Sequence, residues 1–115
     1  MTVKECYEMM GENYEEVISR LMSDERVAKY LHKFADANDI EKLETTLEEK
    51  DWETAFRNAH NLKGLSLNLG FDKLRQSSDI LCEALRGGEP AEDIAPMLAK
   101  VREDYENVVS AISQL

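Results

Sequence analysis

Apolar residues recur at every third or fourth position through most of this chain, and the segments they form are separated by helix caps. Val17, Ile18, Leu21 and Met22 form one such stripe, and Val27, Ala28, Leu31 and Phe34 another. Ile40, Leu43 and Leu47 follow, then Leu74, Ser77, Ser78, Leu81 and Leu85. The last is Met97, Leu98, Val101, Tyr105, Val108, Val109 and Ile112. This is the period of an amphipathic helix, and no stretch alternates with period two for long enough to be a strand. Only five Gly and two Pro interrupt the 115 residues, so the backbone meets few obstacles to helix.

Cap chemistry sets the expected boundaries. Thr2 with Glu5 has the capping-box pattern, predicting a short helix from Val3 that stops before Gly11. A second short helix is predicted over 14–22, and a third after the N-cap pair Ser23 and Asp24. Asn38 with Glu41 is a weaker start signal. Asp51 caps a helix over 52–69, ended by Gly70 where a left-handed cap favours glycine. Asp72 is predicted to cap a helix to about residue 86, stopped by Gly87 and Gly88. Pro90 and Pro96 bracket the start of a last helix that runs to about residue 113. Amphipathic helices with such short connections bury their stripes most simply in an antiparallel up-and-down four-helix bundle. The expectation is an all-α chain of this kind with additional short N-terminal helices, forming one domain over residues 1–115.

Charge narrows the function. Fourteen Lys and Arg against twenty-four Asp and Glu give a formal net charge of -10. Such a chain is repelled by phosphate backbones and anionic lipid, so neither nucleic acid nor a membrane is an expected partner. No stretch approaches the roughly 20 apolar residues of a membrane span, and no basic-then-apolar leader pattern opens the sequence. A cytoplasmic monomer is expected. Cys6 and Cys82 lie far apart and form no CxxC, so neither a metal site nor a disulfide framework is expected.

The helix over 52–69 carries the informative pattern. With each residue about 100° beyond the last, Ala55, Ala59, Leu62, Ser66 and Leu69 share the core side. Glu53, Phe56, Arg57, His60, Lys63, Gly64 and Leu67 share the opposite one. His60 is therefore predicted to face solvent. Gly64, one turn later, costs a helix about 0.8–1 kcal/mol relative to Ala, a cost best tolerated where something approaches the backbone closely. Arg57 and Lys63 flank the imidazole at i−3 and i+3, bringing positive charge to a very acidic chain. Phe56 and Leu67 fit a docking surface or the edge of the core equally well, and Arg57 fits an ordinary solvated face. An unperturbed imidazole, with pKa about 6.5, is a competent nucleophile near neutral pH. Phosphoryl transfer asks mainly for in-line positioning and a nearby cation, which Lys63 can supply. The remaining histidine, His32, lies among Tyr30, Leu31, Lys33 and Phe34 and reads as a surface residue.

The run His60-Asn61-Leu62-Lys63-Gly64, followed by Asn68-Leu69-Gly70 and Leu74, resembles the histidine-containing phosphotransfer (HPt) domain. The likeness extends upstream through Asp51-Trp52 and Ala59 and downstream through Leu81 to Leu85, covering roughly residues 24–88. It implies a four-helix bundle whose exposed histidine takes a phosphoryl group on Nε2 from a receiver-domain aspartyl phosphate. It implies that Lys63 contacts that group and that Gly64 permits close docking. Response-regulator receiver domains are the implied partners, with a hybrid histidine kinase upstream. The chain itself would need no cofactor, the Mg²⁺ belonging to the receiver. One position departs from the family. Cys82 stands where Glu or Gln often orients the histidine ring, which leaves Glu83, Asp79, Arg86 or water as alternatives around His60.

No glycine-rich phosphate cradle is present, so the chain reads as a phosphohistidine carrier and not as an ATP-dependent kinase. Two other readings fit the same face. One is an adaptor that binds a receiver or other partner without phosphorylation; the other is a direct substrate of a histidine-kinase catalytic domain.

Overall fold

The computed structural model describes all 115 residues, as seven α-helices and no strand. They are α1 (Val3–Met10), α2 (Tyr14–Leu21), α3 (Asp24–Ala37), α4 (Asp39–Glu48), α5 (Trp52–Leu69), α6 (Asp72–Leu85) and α7 (Ala95–Ile112). Helices α4 to α7 pack in chain order as an up-and-down four-helix bundle, and α7 returns to close it against α4. The bidentate pair of Arg102 with Glu44, at 2.9 and 3.0 Å, ties α7 to α4. The short α1 and α2, with α3, pack at the same end of the bundle as the turn from α5 to α6.

That turn is only two residues long, Gly70 and Phe71. Gly70 takes the left-handed conformation (φ 74°) and its N–H donates back to the Leu67 carbonyl, while the Phe71 N–H donates to that of Ser66 at 2.8 Å. This is the Schellman arrangement, which consumes carbonyls the helix itself leaves without partners. Two residues from the N-terminal helices take the rest. Arg20 of α2 donates to the Leu67 and Asn68 carbonyls at 3.1 and 3.0 Å, and the buried Tyr7 hydroxyl of α1 donates to that of Leu69 at 2.7 Å. Phe71 is fully buried in an aromatic cluster. Its ring lies 6.3 Å from Tyr7 and 5.1 Å from Phe34, which in turn meets Tyr105 at 5.2 Å.

Twenty-five apolar side chains, drawn from all seven helices and from Phe71 of the turn, form one continuous buried core. The core side expected of α5 is buried as a set: Ala55, Ala59, Leu62, Ser66 and Leu69. Small Ala55 and Ala59 allow close approach of neighbouring helices, and the Ser66 hydroxyl is satisfied by the Leu62 carbonyl at 2.7 Å.

Two start signals act differently from the expectation. Asp72 is the first residue inside α6 and not its cap; Phe71 occupies the cap position because its ring is drawn into the aromatic cluster. The orphan N–H of Lys73 is met from afar by the Glu12 carboxylate, at 3.3 Å. Asn38 adopts a left-handed conformation (φ 52°) between α3 and α4, and its side chain makes no cap bond to the backbone.

Gly70→Ala is expected to lower stability by at least the roughly 1–2 kcal/mol of a left-handed alanine. An added Cβ would also lie 2.4 Å from Val17 Cγ2, so α2 must shift as well. The urea midpoint measures this; an unchanged midpoint would show that the turn is not set by Gly70.

Candidate functional site

The middle of α5 presents His60 to solvent, away from the aromatic cluster that fixes its C-terminal end. The imidazole lies against Phe56, one turn earlier, with ring centroids 6.1 Å apart and planes inclined by 42°. Phe56 is half-buried, packed on the rim of the core, so its ring serves as a fixed shelf beside the histidine. The guanidinium of Arg86 sits 5.2 Å from the centroid of the same ring, within cation–π range.

Lys63 is one turn beyond His60 and half-exposed. Its ammonium is 2.8 Å from the Asp79 carboxylate of α6. The hydrogen bond and charge of that contact raise the Lys63 pKa above 10.5 and hold that of Asp79 below 3.8, so the pair is ionised throughout the neutral range. Asp79 is depressed on folding, so any stability it adds is present above pH 3.8 and is lost as pH falls through its lowered value. Lys63 is the mirror case: its contribution is present below pH 10.5 and is lost as pH rises through its raised value.

Gly64 follows on the same side. A Cβ built there meets nothing within 4 Å, so the glycine does not mark a tight crossing with another helix. It leaves a bare strip of backbone beside His60. Leu67, a turn further, is 53% exposed.

The other cations are held by carboxylates. Arg57 turns back along α5 to Glu53 at 3.3 Å, both side chains largely in solvent, a pair of the weakly stabilising surface kind. Arg86 is bidentate to Glu83, at 2.8 and 3.1 Å, which raises the arginine and lowers the carboxyl from their ordinary values. Cys82 is fully buried, and desolvation pushes its thiol up from 9.0. It belongs to the wall behind the site and offers nothing to a docking surface. Of the groups considered for orienting the His60 ring, Asp79 is engaged by Lys63 and Glu83 by Arg86. The contact that His60 does make is with Phe56.

The Lys63–Asp79 pair has a legible origin. Lys63 precedes Gly70 by seven residues and Asp79 follows Phe71 by eight, so a two-residue turn brings them to the same level of an antiparallel hairpin. No group of three or more His, Cys, Asp or Glu side chains gathers to hold a metal ion. No helix is long and apolar enough to cross a membrane. The most apolar hollow, about 460 Å³ between α2, α3 and α5, is lined by Leu21, Tyr30, Phe34 and Leu65 among others, and includes none of the residues expected at the site.

An exposed imidazole on a firm helix, with an ammonium one turn away and bare backbone beside it, is suited to accept a group from a macromolecular surface. It has no enclosure that would exclude water from a small substrate. No curated protein matches the chain closely enough to count as a relative. The family model of the Hpt domain matches residues 25–111, from the start of α3 nearly to the end of α7, and takes in every one of these site residues. The chain therefore belongs to the Hpt domain family, the helical modules of histidine phosphotransfer in two-component phosphorelays.

Proposed function

We propose that this protein is a phosphohistidine carrier, with His60 as the residue that accepts and gives up the phosphoryl group. The observation that carries the reading is the grouping of His60, Lys63 and an unobstructed Gly64 on the solvent side of one helix. In the forward step Nε2 of His60 attacks the phosphorus of an aspartyl phosphate on a receiver domain. The bond from phosphorus to the aspartyl oxygen breaks, and the carboxylate leaves with that electron pair. The imidazole keeps its proton on Nδ1, and the new N–P bond holds the group for return to the same receiver or transfer to another. Any Mg²⁺ that neutralises the acyl phosphate is the receiver's.

Each neighbour has a defined part. Lys63 supplies a point charge for the phosphoryl oxygens. Gly64 lets the receiver's backbone come within reach. Phe56 limits the swing of the ring, and Leu67 gives exposed apolar contact one turn beyond Lys63. Arg86, set on Phe56, and Arg57 act only through the local field, as their guanidiniums are turned to Glu83 and Glu53. The surrounding negative charge opposes an acidic receiver pocket, so these cations matter more for association rate than for the lifetime of the complex. The chain has no part that handles ATP, and the kinase that feeds the relay is a separate domain.

Mixing the protein with a phosphorylated receiver is expected to move label to His60, as an acid-labile, base-stable phosphoamidate. His60→Gln is expected to take none. Label on the His60→Gln chain would contradict the assignment, and binding with no transfer by the wild type would favour the adaptor reading. Labelling by a kinase catalytic domain and ATP without any receiver would favour direct phosphorylation.

Gly64 separates stability from function. Gly64→Met is expected to hold or raise the urea midpoint, by up to about 1 kcal/mol in helix propensity. The same change is expected to slow single-turnover transfer by about a hundredfold, the scale of a misplaced approach of about 1 Å. Transfer at the wild-type rate would contradict the clearance role.

A further inference from the structure

The cation beside His60 is not free in the resting protein. Lys63 is bound to Asp79 at 2.8 Å, and this pair links α5 to α6 at the level of the histidine. Both side chains are about one-third exposed, at 33% and 38%. That is enough burial to hold one geometry and enough exposure for an incoming anion to reach the ammonium. The neighbouring carboxylate Glu83 is occupied by Arg86, so Asp79 is the acid that competes for Lys63.

We propose that Asp79 is a positioning residue for phosphoryl transfer, holding Lys63 at the His60 level and competing with the phosphohistidine for its charge. The inference rests on His60 being the phosphoryl acceptor. In the resting state Asp79 restricts the rotamers of a long side chain that is otherwise free to sweep solvent, so less order has to be imposed when the receiver docks. Once the phosphoryl group is on His60, two anions face one ammonium. The phosphoryl group carries the larger charge and draws Lys63 toward it, but the fixed carboxylate of Asp79 keeps part of the interaction. The phosphohistidine is thereby less stabilised than it would be by a free lysine. A carrier has to release its group as well as take it, and Asp79 moderates Lys63 in the direction of release.

Asp79→Asn isolates this effect. The amide keeps the shape and an oxygen acceptor for the Lys63 ammonium but removes the competing negative charge. Phosphoramidate loads the imidazole without any receiver: the N–P bond to ammonia breaks, ammonia leaves, and the new N–P bond forms at His60. The lifetime of the phosphohistidine is expected to lengthen in Asp79→Asn by about fivefold, the scale of one charge–charge interaction at about 4 Å in water-like surroundings. The equilibrium with a phosphorylated receiver is expected to move toward His60 by a similar factor. In a Lys63→Met background, Asp79→Asn is expected to change neither quantity by more than about twofold, because there is no cation to release.

An unchanged lifetime and equilibrium in Asp79→Asn, with only the urea midpoint lowered, would reduce Asp79 to a structural tie and overturn the proposal. Equal shifts in both backgrounds would also overturn it, by showing that Asp79 acts on the phosphoryl group without Lys63. Failure of the wild type to accept label from any receiver would count against the carrier function itself. The phosphoramidate lifetimes would still report on Asp79, so the two failures are distinguishable.

Discussion

The two-residue turn between α5 and α6 is the constraint from which the rest of the molecule follows. Gly70 reverses the chain in the one conformation that allows so short a link, and the helices on either side are bound to lie antiparallel and close. Ala55, Ala59, Leu62, Ser66 and Leu69 then have a partner surface in Leu74, Ser77, Ser78, Leu81 and Leu85, all of which are buried. The same geometry leaves the far side of α5 uncovered. Exposure of His60 is thus a consequence of how α5 is anchored. The anchor is reinforced by residues remote in sequence, since Tyr7 and Arg20 satisfy carbonyls at the end of α5 that would otherwise need water.

A firm helix matters because the chemistry proposed for it is mostly positioning. An in-line transfer between two proteins tolerates little misplacement of the acceptor nitrogen, and this chain supplies no pocket to correct it. The electrostatics are equally deliberate in their geometry. A chain of net charge -10 does not present a bare basic patch at His60: Lys63, Arg57 and Arg86 each face a carboxylate, Asp79, Glu53 and Glu83. The site is close to locally neutral until a phosphoryl group arrives. The cation with the closest cross-helix partner, Lys63, is the one placed to answer it.

Much of this was legible in the sequence because it depends on local rules. Helix period, the capping box at Thr2 and Glu5, and the glycine stop at Gly70 act over a few residues, and each is realised. The outward placement of His60 and the inward placement of Ser66 follow from the 100° step alone. What escaped is non-local. Phe71 displaces Asp72 from the cap position because of rings contributed by α1 and α3. Asp79, one of the groups considered for the His60 ring, is taken by Lys63, because hairpin register and side-chain reach decide between two nearby acceptors. Arg57, next to Phe56 in sequence and about 100° further round the helix, finds Glu53 on its own helix before it finds His60. Cys82 lies behind the site, where burial leaves it no orienting role at the surface.

The central claim is that one imidazole nitrogen of one residue carries the phosphoryl group, and the chain has only two histidines, His32 and His60. A nitrogen-15 spectrum of the imidazole side chains, recorded before and after loading by a phosphorylated receiver, tests it directly. The account predicts that Nε2 of His60 shifts and couples to phosphorus while both nitrogens of His32 stay unchanged. Phosphorus coupled to His32, to Nδ1 of His60, or to neither ring in a loaded sample would contradict it.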